Sequence, residues 1–90
     1  MLIQPIEPVG VTIRIGDSIY EGHMVSLSET ELEVSLSDYL EKDSHLLFIA
    51  QYFKGEAIIR DIHFAHYCFT YRVEIKNIQF QPGLLINTRL

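Results

Sequence analysis

The chain is poor in the residues that build disulfides, flexible loops and phosphate-binding turns. Its 90 residues include a single cysteine, Cys68, no tryptophan, five glycines and three prolines. One cysteine excludes an internal disulfide, which is typical of a reducing compartment. The N-terminus has neither a basic region nor an apolar run long enough for a signal peptide, so we expect a cytoplasmic location.

Basic side chains and long apolar runs are also scarce. Seven Lys and Arg residues stand against twelve Asp and Glu residues, for a net charge of −5. This charge repels a phosphate backbone at long range, so we expect no nucleic-acid partner. The longest apolar stretch, Leu46–Ala50, is far shorter than a membrane span, so we expect no direct membrane insertion.

Hydrophobic residues, in contrast, are abundant and make up 48% of the chain. A chain of this length forms one domain, residues 1–90, and buries only about 60–65% of the surface that its unfolded form exposes. Two interpretations follow from this excess. Either the core is very efficient, or some apolar surface is covered by a protein partner or by a second copy of the chain.

Alternation of apolar and polar residues runs through the chain and predicts β-strands. The six predicted strands are Val9–Ile15, about Ile19–Leu27, Leu32–Leu36, Leu46–Phe53, Ala57–Phe64 and Tyr67–Ile75. Turns are predicted at residues 16–18 and at Lys54-Gly55, and residues 63–66 are short enough to form a hairpin connection. Gly22, inside the second strand, indicates a bulge or a close approach of two backbones.

The remaining segments are predicted to close the body. The polar stretch Ser37–His45 has room for one helical turn, and Tyr39 and Leu40 within it are expected to plug the core. After Pro82-Gly83, the apolar residues 84–90 are predicted to pack back as a short strand or helical turn. Together these features predict an all-β fold, a small six-stranded antiparallel β-barrel with a short C-terminal segment, because closure removes exposed sheet edges.

No catalytic, metal or cofactor site is predicted. His63 and His66 fall on opposite faces of a strand, and a closed zinc site needs four ligands. Cys68 has no identifiable base, which a nucleophile requires. Glu31 and Glu33 project about 7 Å apart from one face of a strand. That face is best interpreted as the solvated side of an amphipathic strand.

Two further features have structural interpretations. Arg60 shares the apolar face of its predicted strand, so it is expected either to reach solvent along that face or to be paired. The stripe Tyr67, Phe69 and Tyr71 resembles a stacking platform for nucleic-acid bases. The acidic balance of the chain favours a core or a protein interface for these aromatic residues instead.

The order of elements resembles the PilZ domain over roughly Val9 to Leu90. The resemblance implies a six-stranded barrel. It also implies a site for cyclic di-GMP built from two arginines before the first strand and a turn motif after the second. That motif is Asp or Asn, any residue, Ser, two further residues and Gly.

On this chain the turn motif falls on Ser26 to Glu31. Ser28 matches the serine, Ser26 replaces the acid or amide, and Glu31 replaces the glycine. No arginine precedes the first strand, and Arg14 inside it is the nearest candidate. Arginine clamps phosphate with two parallel hydrogen bonds, and Glu31 adds a charge of the wrong sign. Cyclic di-GMP is therefore not expected to bind.

The resemblance implies a non-enzymatic bacterial signalling or regulatory module that acts through a protein partner or as a homo-oligomer. The even-numbered face of the sixth strand and the C-terminal segment are expected to contribute the contact surface. One alternative is a degenerate cyclic di-GMP receptor that uses Arg14, Ser26 and Ser28. The other is an unrelated OB-like or SH3-like barrel that binds peptide or carbohydrate.

Overall fold

The structure is a computed structural model and describes residues 2–80 of the chain. In this part of the chain all regular secondary structure is β-strand. The strands are β1 (Leu2–Ile3), β2 (Gly10–Ile15), β3 (Ser18–Ser28), β4 (Glu31–Leu36), β5 (His45–Ala50), β6 (Phe53–Ala65) and β7 (Cys68–Phe80).

Strands β2 to β7 form a closed ring. The order around it is β3-β2-β5-β6-β7-β4, and β4 pairs back on β3, so the sheet closes on itself. Every pair is antiparallel. The extra strand β1 pairs with the end of β3. The prediction of an all-β, six-stranded antiparallel barrel is confirmed.

The core follows from the alternation of the strands. Val11 and Ile13 on β2 are fully buried, whereas Arg14, the next residue along the strand, is exposed. The largest fully buried side chains are Tyr71, Phe48, Ile13, Leu32, Ile59, Val11, Val34 and Val73. They come from β2, β4, β5, β6 and β7, and Met24 and Leu27 on β3 belong to the same buried cluster, so one core joins the whole ring. Burying each such side chain contributes about 1.5–3 kcal/mol relative to leaving it exposed.

The antiparallel ring has two ends, which differ in what they expose. The hairpin end carries the β2–β3 turn, the loop of residues 37–44 and the β6–β7 turn. The groove end carries β1, the β3–β4 turn, the β5–β6 turn and the end of β7. Long strands separate the two ends, so a residue near one end is remote from residues near the other.

The strand predicted at Leu46–Phe53 is present but ends three residues early, and the turn predicted at Lys54-Gly55 is wrong. β5 ends at Ala50, β6 begins at Phe53, and the turn lies at residues 51–52. Gly55 stands inside β6, where a Cβ atom would lie 2.7 Å from Phe48 Cζ and would collide with the carbonyl oxygen of Asn77. The glycine therefore marks a close backbone approach within the sheet.

The last two strands are longer than predicted. β6 and β7 each have 13 residues. The turn between them is His66-Tyr67, with φ values of 54° and 63°. The sequence placed Tyr67 inside the sixth strand, which is wrong. The alternation of apolar and polar residues does not show which residue adopts positive φ. The strand β1 was not predicted, because two residues are too few to show alternation.

The loop of residues 37–44 has no helical turn, contrary to the expectation for Ser37–His45. Leu40 is buried as predicted, but Tyr39 is exposed. At Gly22 the predicted close approach is confirmed, since a Cβ atom there would lie 2.7 Å from the carbonyl oxygen of Ser35. The bulge lies further along β3, between Met24 and Ser26. Residues 84–90, predicted to pack back on the body, lie outside the described residues.

Candidate functional site

The two serines of the turn motif use their hydroxyl groups within the chain. Ser28 Oγ accepts hydrogen bonds from the backbone N–H groups of Thr30 (3.3 Å) and Glu31 (3.1 Å). It therefore organises the β3–β4 turn. Ser26 is buried, and its Oγ donates to Glu33 Oε1 at 3.1 Å. Both hydroxyls stabilise the local structure.

Arg14 lies at the other end of the barrel from these serines. It stands beside the β2–β3 turn, and its Nε donates to the carbonyl oxygen of Gly16 at 3.0 Å. Its partner across the ladder is Ile19, and the strand continues from there to Ser26. At the rise of an extended strand this path is about 23 Å long. The three candidate residues of the degenerate receptor are not brought together in one chain.

The even-numbered face of β7 carries paired charges. Arg60 Nε donates to Glu74 Oε1 at 2.7 Å, and its Nη1 lies 3.3 Å from Asp43 Oδ1. Lys76 Nζ lies 3.3 Å from Glu74 Oε2. The hydrogen bond from Arg60, followed by that from Lys76, lowers the pKa of Glu74. This surface is charged, and its charged groups are paired within the chain. Its expected part in a contact surface stays a prediction.

The pairing of Arg60 confirms one of the two alternatives stated for it. The ladder between β6 and β7 shifts register between Ile59 and Asp61, so Arg60 occupies a bulge. The bulge turns its side chain outward, away from the face expected from strict alternation. Asp61 and Arg72 form a second exposed pair, with their Oδ2 and Nη1 atoms 3.2 Å apart.

The residues considered for other chemistry are not assembled into a site. Within residues 2–80, no three His, Cys, Asp or Glu side chains lie close enough to hold a metal ion. Cys68 is half-buried next to the β6–β7 turn. Glu31 lies 3.9 Å from Arg72, and Glu33 accepts from Ser26. No helix in the described part of the chain is long and apolar enough to cross a membrane.

The hairpin end carries an exposed aromatic surface, here called the aromatic tip and defined as Tyr39, Phe64, Tyr67 and Phe69. Tyr67 is 91% exposed, Tyr39 60% and Phe64 56%. Phe69 joins them, since its ring centroid lies 4.7 Å from that of Phe64 and 5.6 Å from that of Tyr39. β4 is the neighbour of β7, and it ends at Leu36, opposite Phe69. The β6–β7 hairpin therefore projects beyond the end of β4.

Tyr71 anchors the loop that supplies Tyr39. Its ring is fully buried, and its hydroxyl donates to the carbonyl oxygen of Asp38 and accepts from the N–H of Leu40, both at 2.7 Å. Burial raises the pKa of this hydroxyl above its ordinary value. The sequence placed Tyr71 in an aromatic stripe but gave no sign of this contact, because the two ends of the bond are 33 residues apart.

The groove end carries a concave surface, here called the apolar groove. It consists of two adjoining cavities of about 360 and 340 Å³, and Ile3, Leu27 and Phe80 line both of them. Phe53 packs beside Phe80, with ring centroids 6.1 Å apart. Ile3 and Phe80 are each 43% exposed, so both walls of the groove meet solvent.

Comparisons with known proteins do not assign either surface. No family model, no curated protein and no solved structure matches the chain.

Proposed function

We propose that the chain is a PilZ-like barrel that works as a non-enzymatic interaction module in bacterial signalling or regulation. In this proposal it binds a protein partner through the aromatic tip and does not bind cyclic di-GMP. The observation that carries the proposal is the exposure of large aromatic side chains on a projecting hairpin. A cytoplasmic location belongs to the proposal and agrees with the unpaired thiol of Cys68.

The shape of the aromatic tip suits a protein contact. Aromatic side chains contribute a large buried area at low entropic cost, and they are enriched among the residues that dominate binding energy. Phe64 and Phe69 already pack on each other, and Tyr39 is held in place by the loop that Tyr71 anchors. The surface is therefore largely preorganised, which lowers the cost of ordering it on binding.

The turn at the tip supports the same proposal. His66 and Tyr67 both have positive φ, which costs roughly 1–2 kcal/mol for a residue with a side chain. Asn-Gly would form this two-residue turn with less strain. Strained backbone of this kind concentrates at functional positions. The turn holds a tyrosine at the most exposed point of the hairpin, where its contribution to the core is negligible.

The charge of the chain indicates the chemistry of the partner. The net charge is −5, and the exposed Asp38 precedes Tyr39 directly. A partner segment that carries Arg or Lys beside apolar side chains would complement both features. Such cations also bind the faces of tyrosine and phenylalanine rings. We therefore propose a basic, partly apolar protein segment as the ligand of the aromatic tip.

The alternative of a degenerate cyclic di-GMP receptor has less support. Ser26 and Ser28 already make hydrogen bonds within the chain, and Arg14 lies about 23 Å away along β3. Within residues 2–80, the guanidinium beside Glu31 is that of Arg72, which is paired with Asp61. A calorimetric titration with cyclic di-GMP is expected to give no binding heat, and micromolar binding would contradict this part of the proposal.

Site-specific photocrosslinking in the source cells tests the proposed surface. A photoreactive phenylalanine analogue replaces Tyr67 in the full chain, and in a matched control it replaces Ile19, which is 64% exposed elsewhere on the hairpin end. We expect a discrete crosslinked protein from position 67 and none from position 19. The crosslink is expected to disappear when Phe64→Ser is added.

Three results would count against the proposal. Equal crosslinking from both positions would show non-specific contact. Absence of any product at position 67 would remove the aromatic tip as the binding surface. A product with twice the mass of the chain would replace the foreign partner by a second copy, the homo-oligomer that the sequence also allowed.

A further inference from the structure

We propose that two copies of the chain associate through the outer face of β5 and are related by a two-fold axis that runs along this strand. The surface, here called the β5 face, consists of Arg14, Leu47, Ile49, Lys54 and Glu56. It lies on the wall of the barrel, about 25 Å along β6 from the aromatic tip. The proposal therefore does not depend on the proposed function, and each can fail without the other.

Two large apolar side chains form the centre of the β5 face. Leu47 is 42% exposed and Ile49 is 49% exposed. They alternate with Leu46 and Phe48, which are buried, so the core of the barrel does not use them. Alternate residues of a strand stand about 7 Å apart on one face, so Leu47 and Ile49 form a continuous apolar strip. Adjacent exposed apolar side chains are typical of a contact surface.

Opposite charges flank the first residue of this strip. The ladders place Arg14 of β2 on one side of Leu47 and Glu56 of β6 on the other. Neither charge forms an ion pair within residues 2–80, since Arg14 donates to the carbonyl oxygen of Gly16 instead. A two-fold axis along β5 exchanges the two flanks between copies. Arg14 of each copy therefore faces Glu56 of the other.

The second row of the β5 face has the reverse order of charges. Ile49 lies between Thr12 of β2 and Lys54 of β6. The hydroxyl of Thr12 donates to Glu21 Oε1 on β3 at 3.1 Å, which fixes a carboxylate on that side. Lys54 has no ion-pair partner in the described part of the chain. The same axis brings Lys54 of each copy opposite Thr12 and Glu21 of the other, so this row also complements itself.

The curvature of the barrel suits this division between an apolar centre and charged flanks. Because the sheet closes into a ring, its outer face curves away on both sides of β5. The apolar strip therefore meets its counterpart closely, and the long side chains of Arg14, Lys54 and Glu56 reach across from the flanks. An apolar centre within a polar rim is the usual composition of a protein interface. The contact is small, so we expect weak and reversible association.

The charges of β7 provide an internal comparison. There Glu74 is already paired with Arg60 and Lys76 of the same chain. On the β5 face the charged side chains are unpaired among the described residues and alternate in sign around an apolar centre. This pattern favours a second copy as the occupant, because a partner that carries charge of one sign would repel one flank in each row.

A charge-reversal experiment on the full chain tests the proposal. Sedimentation velocity measures self-association from micromolar to millimolar concentration. Arg14→Glu places two carboxylates opposite each other, and Glu56→Arg places two guanidinium groups opposite each other. We expect each variant alone to associate about tenfold more weakly than the parent. An equal mixture of the two variants unites unlike charges on both flanks, so it should form a mixed dimer with an affinity close to that of the parent.

A matched control separates this effect from net charge. Lys42→Glu, on the exposed loop of residues 37–44, changes the net charge by the same amount as Arg14→Glu and should associate like the parent. Circular dichroism checks that each variant folds. If a reversal variant does not fold, Leu47→Ser replaces it, and we expect severalfold weaker association from the loss of the apolar strip.

Four outcomes would overturn the proposal. The parent chain could remain monomeric at millimolar concentration. Folded Arg14→Glu, Glu56→Arg or Leu47→Ser could associate as strongly as the parent. The mixture of reversal variants could fail to restore association, which would show that Arg14 and Glu56 do not face each other. Phe64→Ser could abolish self-association, which would place the contact between copies at the aromatic tip.

Discussion

The two ends of this barrel expose apolar side chains in opposite ways. At the hairpin end, Tyr39, Phe64 and Tyr67 are exposed, and hydrogen bonds of Tyr71 to Asp38 and Leu40 anchor the loop that carries Tyr39. At the groove end, Ile3 and Phe80 line a concavity open to solvent. Exposed aromatic side chains on a projecting hairpin can insert into a pocket of another molecule. A concavity can instead receive an apolar group.

Total hydrophobicity alone therefore does not locate a binding surface. The composition predicted either a very efficient core or a covered apolar surface, and one tightly packed core accounts for only part of the apolar content. Part of the remainder lies at the two ends, and Val25, Leu47 and Ile49 expose more of it on β3 and β5. Four predictions test the difference between the two ends.

The largest effect is expected at Gly55, where β6 and β7 approach each other near the groove end. Gly55→Ala places a Cβ atom against Asn77 and Phe48 and should lower the free energy of unfolding by about 3 kcal/mol. Urea denaturation measures this change. Gly10→Ala is the control, because nothing lies within 4 Å of its Cβ position, and it should change stability by less than about 0.5 kcal/mol. Equal effects would mean that the close approach does not constrain the sheet.

The next effect is expected at the hairpin end, where Tyr71→Phe keeps the buried ring and removes the hydroxyl. The N–H of Leu40 and the carbonyl of Asp38 lose their partner, which should lower stability by about 1–3 kcal/mol. Tyr67→Phe, at the exposed turn, should leave denaturation unchanged. A stable Tyr71→Phe protein would show that the loop is held by other contacts.

Tyr71 also predicts how the stability of the protein depends on pH. Its pKa is raised in the folded state above the ordinary value of 10.0, so the folded state holds the proton more tightly. The associated stability is complete below pH 10 and is lost as the pH rises through the folded-state pKa. Tyr71→Phe should remove this alkaline loss, which denaturation at pH 9 and pH 11 can measure.

A smaller effect of opposite sign is expected at the β6–β7 turn. The double variant His66→Asn/Tyr67→Gly removes side chains that are disfavoured at positive φ and should raise stability by about 1 kcal/mol. His66→Asn/Tyr67→Ala is the matched control and should gain less, because alanine at position 67 keeps a Cβ atom. With the photoreactive analogue placed at position 64, the stabilised variant should also lose the partner crosslinked at the aromatic tip. Retained crosslinking from position 64 would place the partner beside the turn instead of on it.

The smallest effect is expected from the exposed charges between the two ends. Arg60 lowers the pKa of Glu74 below its usual 4.5, so the stability from this pair is present above pH 4.5 and is lost as the pH falls through the folded-state value. Arg60→Gln should reduce the loss of stability on acidification without abolishing it, because Lys76 also lowers the pKa of Glu74. Arg14→Gln, whose arginine binds a backbone carbonyl, should keep the acid dependence of the parent protein.

The alternation of apolar and polar residues within each segment predicted much of the fold, because it shows which side chains of a strand are buried. Val11 and Ile13 alternate with polar neighbours and point inward, and Leu32, Val34 and Leu36 do the same on β4. The pattern failed where a residue serves a distant neighbour. Gly55 was interpreted as a turn because the contact that requires glycine, with Asn77, is far away along the chain.

The candidate surfaces were harder to predict than the strands. The aromatic stripe was recognised in the sequence, but Tyr71 turned out to be core while Tyr67 became the tip of the turn. The even-numbered face of the last strand was expected to contribute to a contact surface, and this stays a prediction. Glu74 on this face pairs with Arg60, which also pairs with Asp43. No local pattern brings together the bulge and the loop that supply these two residues.

Local sequence patterns were enough to predict that this chain forms strands, that the strands suit a small barrel, and that their inner faces are apolar. These properties depend on the two-residue period of an extended chain, which is present within each segment. The tertiary structure was needed to show which strands are neighbours, where the chain reverses and which apolar side chains remain outside. Those outcomes depend on closure of the ring, and closure joins residues that are distant along the chain.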